Sequence, residues 1–304
     1  MHSINVPSPL QKVNDSFLEE HRVELYVKRE DLIHPHISGN KWRKLKYNLL
    51  EAKTQKKDTL LSFGGAFSNH IYALAAAGAE YGYNTIGVIR GKDASPENPT
   101  LKFAREQGMI LHFVDRGDYK QKEEKKFIQS LKEIYGDFYL IPEGGSNALA
   151  VKGCAELLNE LTIDYDCLCC PCGTGATLAG ICTALPKGKK AIGFSALKGG
   201  GYIEKEITAL IGAGYNNYEI TYDYHFGGYA KITAELIKFI KSFEERTTIP
   251  TDPVYTGKLF YGIYDLIQKN YFKPGERIIA IHTGGLQGIE GMKQKMEEAL
   301  KQSS

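Results

Sequence analysis

The sequence predicts an α/β protein built on mostly parallel sheets, and three observations carry that reading. Apolar, β-branched runs alternate with segments of helical spacing through most of the 304 residues. Glycine-bearing loops stand where those runs hand over to helices, and glycine is abundant, at 32 residues or roughly 10% against a usual ~7%. The rest of the composition is that of a globular chain, 42% hydrophobic and 24% charged. A chain of this length has room for a sizeable core, as two compact domains or one large one.

Taken in order, the strand-like stretches are Glu24–Lys28, Thr59–Phe63, Thr85–Ile89, Ile110–Val114, Phe138–Ile141, Cys167–Pro171, Ala191–Ser195 and Arg277–His282. Between them, apolar residues recur at spacings of three and four in Lys41–Lys53, Asn69–Tyr81, Pro99–Gln107 and Leu149–Leu161. A β-α-β-α order implies parallel sheets covered by helices on both faces. Ligands of such folds gather at the carboxyl ends of strands, where loops enter helices. Five glycine-bearing junctions recur, four of them directly between a strand and a helix: Ser38-Gly39-Asn40-Lys41, Gly64-Gly65-Ala66-Phe67-Ser68-Asn69-His70, Gly144-Gly145-Ser146-Asn147, Gly173-Thr174-Gly175-Ala176-Thr177 and Thr283-Gly284-Gly285. Glycine alone tightens turns anywhere. A set carrying hydroxyls, amides and a lysine points instead to a ligand with a phosphate.

Charge and patterning exclude several partners. Lysine and arginine number 38 against 36 aspartates and glutamates, a net +2 that gives no footprint for nucleic acid or an anionic membrane. No apolar run reaches the ~18 residues of a membrane span, and the first residues lack a signal-peptide pattern. Four of the six cysteines, Cys167, Cys169, Cys170 and Cys172, crowd one predicted strand. Their spacing lacks the paired knuckles of a zinc site, so they read as small hydrophobes in a reducing, cytoplasmic setting. His34-Pro35-His36 reads as a loop, and no metal is expected.

The Gly173–Thr177 loop follows a strand and opens the helical stretch Leu178–Ala184, a place where backbone N–H groups and two threonine hydroxyls suit a phosphate dianion. A dinucleotide would need glycine where Leu178 stands and an acid about 20 residues on, where Phe194-Ser195-Ala196 runs. No nucleotide P-loop is present either. Lys41 stands at a helix start beside Arg43, Lys44 and Lys46. Neighbouring cations lower an amine pKa, and a neutral amine attacks an aldehyde to form a Schiff base. Together, the loop and the lysine point to pyridoxal phosphate.

Val27-Lys28-Arg29-Glu30-Asp31-Leu32, Ser38-Gly39-Asn40-Lys41-Trp42-Arg43-Lys44-Leu45 and Gly64-Gly65 with Ser68-Asn69-His70 resemble the tryptophan-synthase-β-like, fold type II pyridoxal-phosphate enzymes. Within that group the sequence is similar to the 1-aminocyclopropane-1-carboxylate deaminase/D-cysteine desulfhydrase family. The likeness continues in order through Pro142-Glu143-Gly144-Gly145-Ser146-Asn147, the Gly173–Thr177 loop, Tyr255-Thr256-Gly257-Lys258 and His282-Thr283-Gly284-Gly285. It implies two three-layer α/β/α domains with the cofactor in the cleft between them. The larger domain would comprise residues 1–48 plus 154–304 and the smaller one residues 49–153. A homodimer is implied as well.

The resemblance also distributes roles. Lys41 would be the Schiff-base lysine, and Gly173, Thr174, Gly175, Ala176 and Thr177 would hold the phosphate. Asn69 would bond the pyridine 3′-oxygen. Ser68, Asn69 and His70, at the start of a helix, would receive the substrate carboxylate, with Ser68 as base or nucleophile and also a plausible N-cap. Tyr255 would lie against the cofactor ring. Tyr229 would be a second tyrosine near the substrate, although its segment reads Gly227-Gly228-Tyr229 where the family has P-G-Y. Residues 198–254 are also shorter than in typical members.

Two positions bear on the reaction. Aminocyclopropane-carboxylate deaminases carry glutamate after the tyrosine and leucine in the H-L-G-G turn, where this chain has Thr256 and Thr283. A carboxylate keeps the pyridine nitrogen protonated and the electron sink strong; a hydroxyl leaves it weaker. Opening a cyclopropane needs the strong sink, whereas β-elimination of a thiolate does not. The expectation is therefore β-elimination from D-cysteine or a related D-amino acid, to pyruvate, ammonia and sulfide. Aminocyclopropane-carboxylate deamination, a serine/threonine dehydratase or synthase, and a cofactor-binding homologue without catalysis are the rival readings.

Overall fold

Residues 3–199 and 201–301 are described by a computed structural model. Ten strands run through them: β1 (Leu10–Lys12), β2 (Glu24–Lys28), β3 (Thr59–Gly65), β4 (Asn84–Arg90), β5 (Ile110–Val114), β6 (Tyr139–Leu140), β7 (Cys167–Cys172), β8 (Lys190–Ser195), β9 (Tyr218–Thr221) and β10 (Arg277–Ile281). The helices are α1 (Ser16–Glu20), α2 (Asn40–Thr54), α3 (Asn69–Tyr81), α4 (Pro99–Glu106), α5 (Lys125–Tyr135), α6 (Ala148–Ala155), α7 (Ala176–Ala184), α8 (Tyr202–Ile211), α9 (Ala234–Thr247), α10 (Thr256–Gln268) and α11 (Lys293–Lys301).

The strands form a six-stranded sheet in the order β1-β2-β10-β7-β8-β9 and a four-stranded sheet in the order β5-β4-β3-β6. Every pairing is parallel except β1 with β2. The predicted α/β class with mostly parallel sheets is the one observed. Alternate residues of each central strand feed opposite cores, as the two-residue period requires. Ile278 and Ala280 of β10 pack with Phe243, Leu259 and Phe260, whereas Ile279 and Ile281 pack with Leu178, Ile203 and Ile207. Leu60 and Leu61 of β3 divide in the same way between two cores of the smaller sheet.

All six residues of β7 are buried, and all six cysteines of the chain are buried free thiols. The cysteine cluster is thus packing on both faces of a central strand. Pro171 is tolerated there because it lies beyond Cys169, the last β7 residue paired with β10. Three elements depart from the periodicity. The edge strands β1 and β9 have half-solvated, weakly patterned sequences that did not read as strands. The helix expected over Leu149–Leu161 stops at Ala155 and continues as a 3₁₀ turn over Glu156–Glu160.

That turn brings Glu160 onto α2. Arg43 of α2 donates from Nη1 and Nη2 to the Glu160 carboxylate at 2.6 and 2.8 Å, and from Nε to Glu30 at 2.8 Å. Lys28 completes the cluster, 2.8 Å from Glu160. Two cations and two anions are therefore buried together with their hydrogen bonds met. On the neighbouring side, a Cβ on Gly153 of α6 would sit 1.9 Å from the Arg43 carbonyl oxygen, so only glycine lets the two helix backbones meet. Helix α2 is pinned from both directions two residues after Lys41.

Candidate active site

A cavity of about 380 Å³ opens at the carboxyl ends of β3, β4 and β7 and beside the loop after β10. Lys41 enters it from the first turn of α2. The N-cap of that helix is Gly39, with φ +65°, and a Cβ there would lie 1.9 Å from the Thr283 carbonyl oxygen. No side chain fits, and the β10 loop is held against the helix that carries the lysine. Lys41 has no carboxylate within ion-pairing distance among the described residues. Burial, with a smaller contribution from the Lys44 ammonium, pushes its amine down to about 7.

Lys44 lies one turn on and lines the same wall. Its Nζ donates to the Gly144 carbonyl at 3.2 Å and to Thr174 Oγ1 at 3.3 Å, and burial lowers its pKa too. It therefore places a cation over the Gly173–Thr177 loop. Gly175, with φ +78°, is the N-cap of α7 and turns the chain into the helix. The Tyr202 hydroxyl donates to the Gly173 carbonyl at 2.6 Å, and Asn40 Nδ2 donates to Thr177 Oγ1 at 2.8 Å. The first-turn N–H groups of α7 have no partner within the helix. This is a pre-formed anion cradle.

The opposite wall is the start of α3. Ser68 Oγ accepts the Ile71 N–H at 3.3 Å, so the serine does cap the helix while its hydroxyl faces the cavity. Asn69 Oδ1 accepts from Gln287 Nε2 at 2.9 Å, which leaves the Asn69 amide N–H groups as donors. His70 is buried, with Nε2 at 2.9 Å from Ser62 Oγ and Nδ1 without a hydrogen-bond partner. Burial first, then Lys41 and Lys44, hold its pKa well below 6.5, so His70 is neutral.

Tyr255 and Tyr229 close the third side with their rings edge to face, 6.2 Å between centroids. Burial raises both phenols, Tyr229 to about 12, and both stay protonated donors at neutral pH. The Tyr229 hydroxyl reaches across to the Phe67 carbonyl at 3.3 Å. Its loop is held by Lys258, whose buried Nζ donates to the carbonyls of His225 and Gly228 at 2.8 Å each and of Ala196 at 3.4 Å. Here the lysine of Tyr255-Thr256-Gly257-Lys258 is a tether.

The chain matches the model of the family described as pyridoxal-phosphate dependent enzyme over residues 3–284. It is 33% identical over 290 residues to a putative 1-aminocyclopropane-1-carboxylate deaminase of Pyrococcus furiosus, covering 87% of this chain and 85% of that protein. It is 31% identical over 312 residues to the mitochondrial bifunctional D-cysteine desulfhydrase/1-aminocyclopropane-1-carboxylate deaminase of Arabidopsis thaliana, covering 94% and 78%. A crystal structure of an aminocyclopropane-carboxylate deaminase homologue superposes with a TM-score of 0.86 at 30% identity, over 99% of this chain and 96% of that one. The chain belongs to this family of pyridoxal-phosphate enzymes.

The cavity residues fit that cofactor. The anion cradle with Lys44 matches its phosphate, Lys41 offers a neutral amine for its aldehyde, and Asn69 offers a donor for its ring oxygen. Of the residues singled out in the sequence, Lys41, Ser68, Asn69, His70, Gly173, Thr174, Gly175, Thr177, Tyr229, Tyr255 and Thr283 line one cavity. Two do not. Ala176 is buried in the first turn of α7, so only its backbone is left to serve the cradle. Thr256 faces the core, where its hydroxyl donates to Asp252 Oδ1 and accepts the Asp252 N–H, both at 2.8 Å. The Asp252 carboxylate is itself filled by the N–H groups of Val254, Tyr255 and Thr256. Asn40, Lys44, Arg90, Glu143 and Tyr202 also line the cavity without having been singled out. Lys44 was readable from its three-residue spacing to Lys41; Arg90 and Tyr202 sit in no motif.

Proposed function

We propose that the protein catalyses β-elimination from D-cysteine or a related small D-amino acid: D-cysteine and water become pyruvate, ammonia and hydrogen sulfide. One observation carries this choice within the family. The wall formed by Tyr255 and the β10 loop offers hydroxyls and no carboxylate, because Thr283 lines the cavity and Asp252 is sealed behind Thr256. A neutral hydroxyl there suits a reaction with a good leaving group. The bound cofactor would supply the electron sink for the pair released when a bond at Cα breaks.

The protein's residues would do the rest. Lys44, the threonine hydroxyls and the α7 amides hold the phosphate, Asn69 holds the ring, and Lys41 attaches the cofactor. The first-turn N–H groups of α3 receive the substrate carboxylate. Ser68 Oγ and the neutral Lys41 amine are the two groups placed to take the Cα proton. Tyr229 and Tyr255, as protonated phenols, donate to the departing sulfur. The expected setting is cytoplasmic and homodimeric, and the six buried free thiols suit a reducing compartment. Among the described residues no helix is long and apolar enough to cross a membrane.

The Pyrococcus furiosus relative favours aminocyclopropane-carboxylate deamination as the second reading. Cofactor-loaded protein assayed on D-cysteine, L-cysteine, D-serine and aminocyclopropane carboxylate separates the two. Pyruvate and sulfide from D-cysteine in equal amounts support elimination. Release of 2-oxobutanoate from aminocyclopropane carboxylate, without sulfide from cysteine, would overturn it.

A further inference from the structure

The charges around the cavity leave one cation over. Lys44 and the α7 amides face the phosphate, the α3 N-terminus faces a carboxylate, and Lys41 is pushed toward neutrality. Arg90 remains. It ends β4 in register with Gly65, the last residue of β3, and a Cβ on Gly65 would lie 3.5 Å from Arg90 Nη2. The guanidinium thus rests over the strand end that leads into Phe67, Ser68 and Asn69. It lines the cavity at its solvent side, with the Tyr119 ring 5.5 Å from Cζ. Among the described residues no carboxylate pairs with it.

Among the described residues Glu143 is the only carboxylate that lines the cavity, and it is already met. It accepts the Tyr119 hydroxyl at 2.8 Å and lies 3.5 Å from the Lys122 ammonium. A guanidinium with five donors, held on an aromatic face and open to the cavity, is complementary to a planar or tetrahedral anion. The substrate's own carboxylate has its place on α3, one residue of chain beyond Phe67. The anion left for Arg90 is therefore one on the substrate's side chain.

We infer that Arg90 is a specificity residue that extends the substrate range beyond D-cysteine to amino acids bearing an anionic group on Cβ, such as a sulfonate, a phosphate ester or a second carboxylate. This rests on the proposed places of the cofactor phosphate and the substrate carboxylate, and on the proposed elimination for what happens after binding. Where the anionic group is also the leaving group, the step balances: the Cα proton goes to the enzyme base, its electron pair forms Cα=Cβ, and the Cβ–X pair leaves on the sulfonate or phosphate. Water then releases ammonia from the product to give the 2-oxo acid. Arg90 would stabilise the charge that grows on the leaving group.

The test begins with binding, read without turnover. Aspartate and asparagine, each as both enantiomers, share shape and lack a leaving group, and titration of the holoenzyme by calorimetry gives their Kd values. The wild-type protein is expected to favour one aspartate enantiomer over the matching asparagine by about tenfold, in line with a charge-assisted pair. Arg90→Gln should erase that preference and change the asparagine Kd less than about twofold, while Arg90→Lys keeps part of it. No preference in the wild type, or one that survives Arg90→Gln, overturns the inference. Equal weakening of both ligands would assign Arg90 to the α-carboxylate instead and also overturn it. A second arm compares kcat/KM for O-phosphoserine and serine in wild type and Arg90→Gln. A binding preference with no 2-oxo acid from any substrate would sink the elimination and leave the Arg90 assignment standing.

Discussion

Two buried charge clusters lie within four residues of each other on α2, and they are built to opposite rules. Arg43 points to one side, where Glu30, Glu160 and Lys28 balance it two against two. Its pKa is raised by those carboxylates despite the cost of burial. Lys41 and Lys44 point to the other side, where among the described residues no carboxylate pairs with them, and burial drives both pKa values down. The same helix thus carries a permanently charged anchor and a pair of reluctant cations. The first cluster holds the helix in place; the second lowers an amine pKa to about 7 and presents positive charge suited to the phosphate proposed to bind there.

The largest expected effect comes from removing the poised amine. Lys41→Ala should lower turnover by about 10²–10⁴-fold. It should also abolish the visible absorbance of the lysine-attached cofactor while leaving the fold intact. Retained absorbance would remove Lys41 from the attachment role. The anchor should answer in the opposite currency. Arg43→Met leaves Glu30 and Glu160 with Lys28 as their one cation and should cost about 3–5 kcal/mol of stability, measured by urea unfolding. Adding Glu30→Gln should restore part of it, because the Lys28–Glu160 pair that remains carries no net charge. If the double variant is no more stable than the single one, the balance of charge is not what makes the cluster tolerable.

These clusters also show what was legible in the sequence. Lys41, Ser68, Asn69 and the Gly173–Thr177 loop could be read because each sits at a strand-to-helix junction, where local sequence dictates backbone and backbone dictates direction. The central strands were legible for a related reason, since burial on both faces leaves an uninterrupted apolar run. Thr256 was misplaced because a first-turn hydroxyl can turn either to the cavity or back to its own cap. The partner that decides, Asp252, is four residues upstream and carries no motif. Arg90 and Gln287 reach the site only through sheet register and loop packing, which no local pattern encodes. Lys28-Arg29-Glu30 was readable as family-like, but that its charges anchor α2 depends on Glu160, more than a hundred residues away.

A smaller effect should appear where a lone cation is satisfied by carbonyls rather than carboxylates. Lys258 holds the Tyr229 loop through three backbone oxygens, and burial lowers its pKa to about 8. Lys258→Met would leave those oxygens unpaired and should cost about 1–3 kcal/mol of stability. It should also lower kcat/KM, by the route of Tyr229. The check is a double-mutant cycle with Tyr229→Phe. If the tether acts through the tyrosine, the two losses in kcat/KM overlap and the double variant is little worse than the poorer single one. Fully additive losses would show that Lys258 supports the fold alone.

The subtlest consequence concerns pH. In the folded, cofactor-free protein Lys41 gives up its proton near pH 7, whereas in the unfolded chain it keeps it to about 10.5. Between those values the unfolded state binds more protons, so raising the pH favours folding through this group. Below about 7 both states are protonated and the cost of burying the charge is fully present. Lys41→Met should therefore be more stable than wild type at pH 6.5, and its advantage should shrink as pH rises toward 8, by at most about 1.4 kcal/mol per pH unit. Lys44→Met removes a like charge, raises the Lys41 pKa and should move the onset of that decline to higher pH. Taking the difference between variants at each pH cancels the tyrosines, cysteines and Lys258, which titrate in all of them. A gap between wild type and Lys41→Met that stays constant from pH 6.5 to 8 would mean that the amine is not poised, and the contrast with Arg43 would lose its chemical meaning.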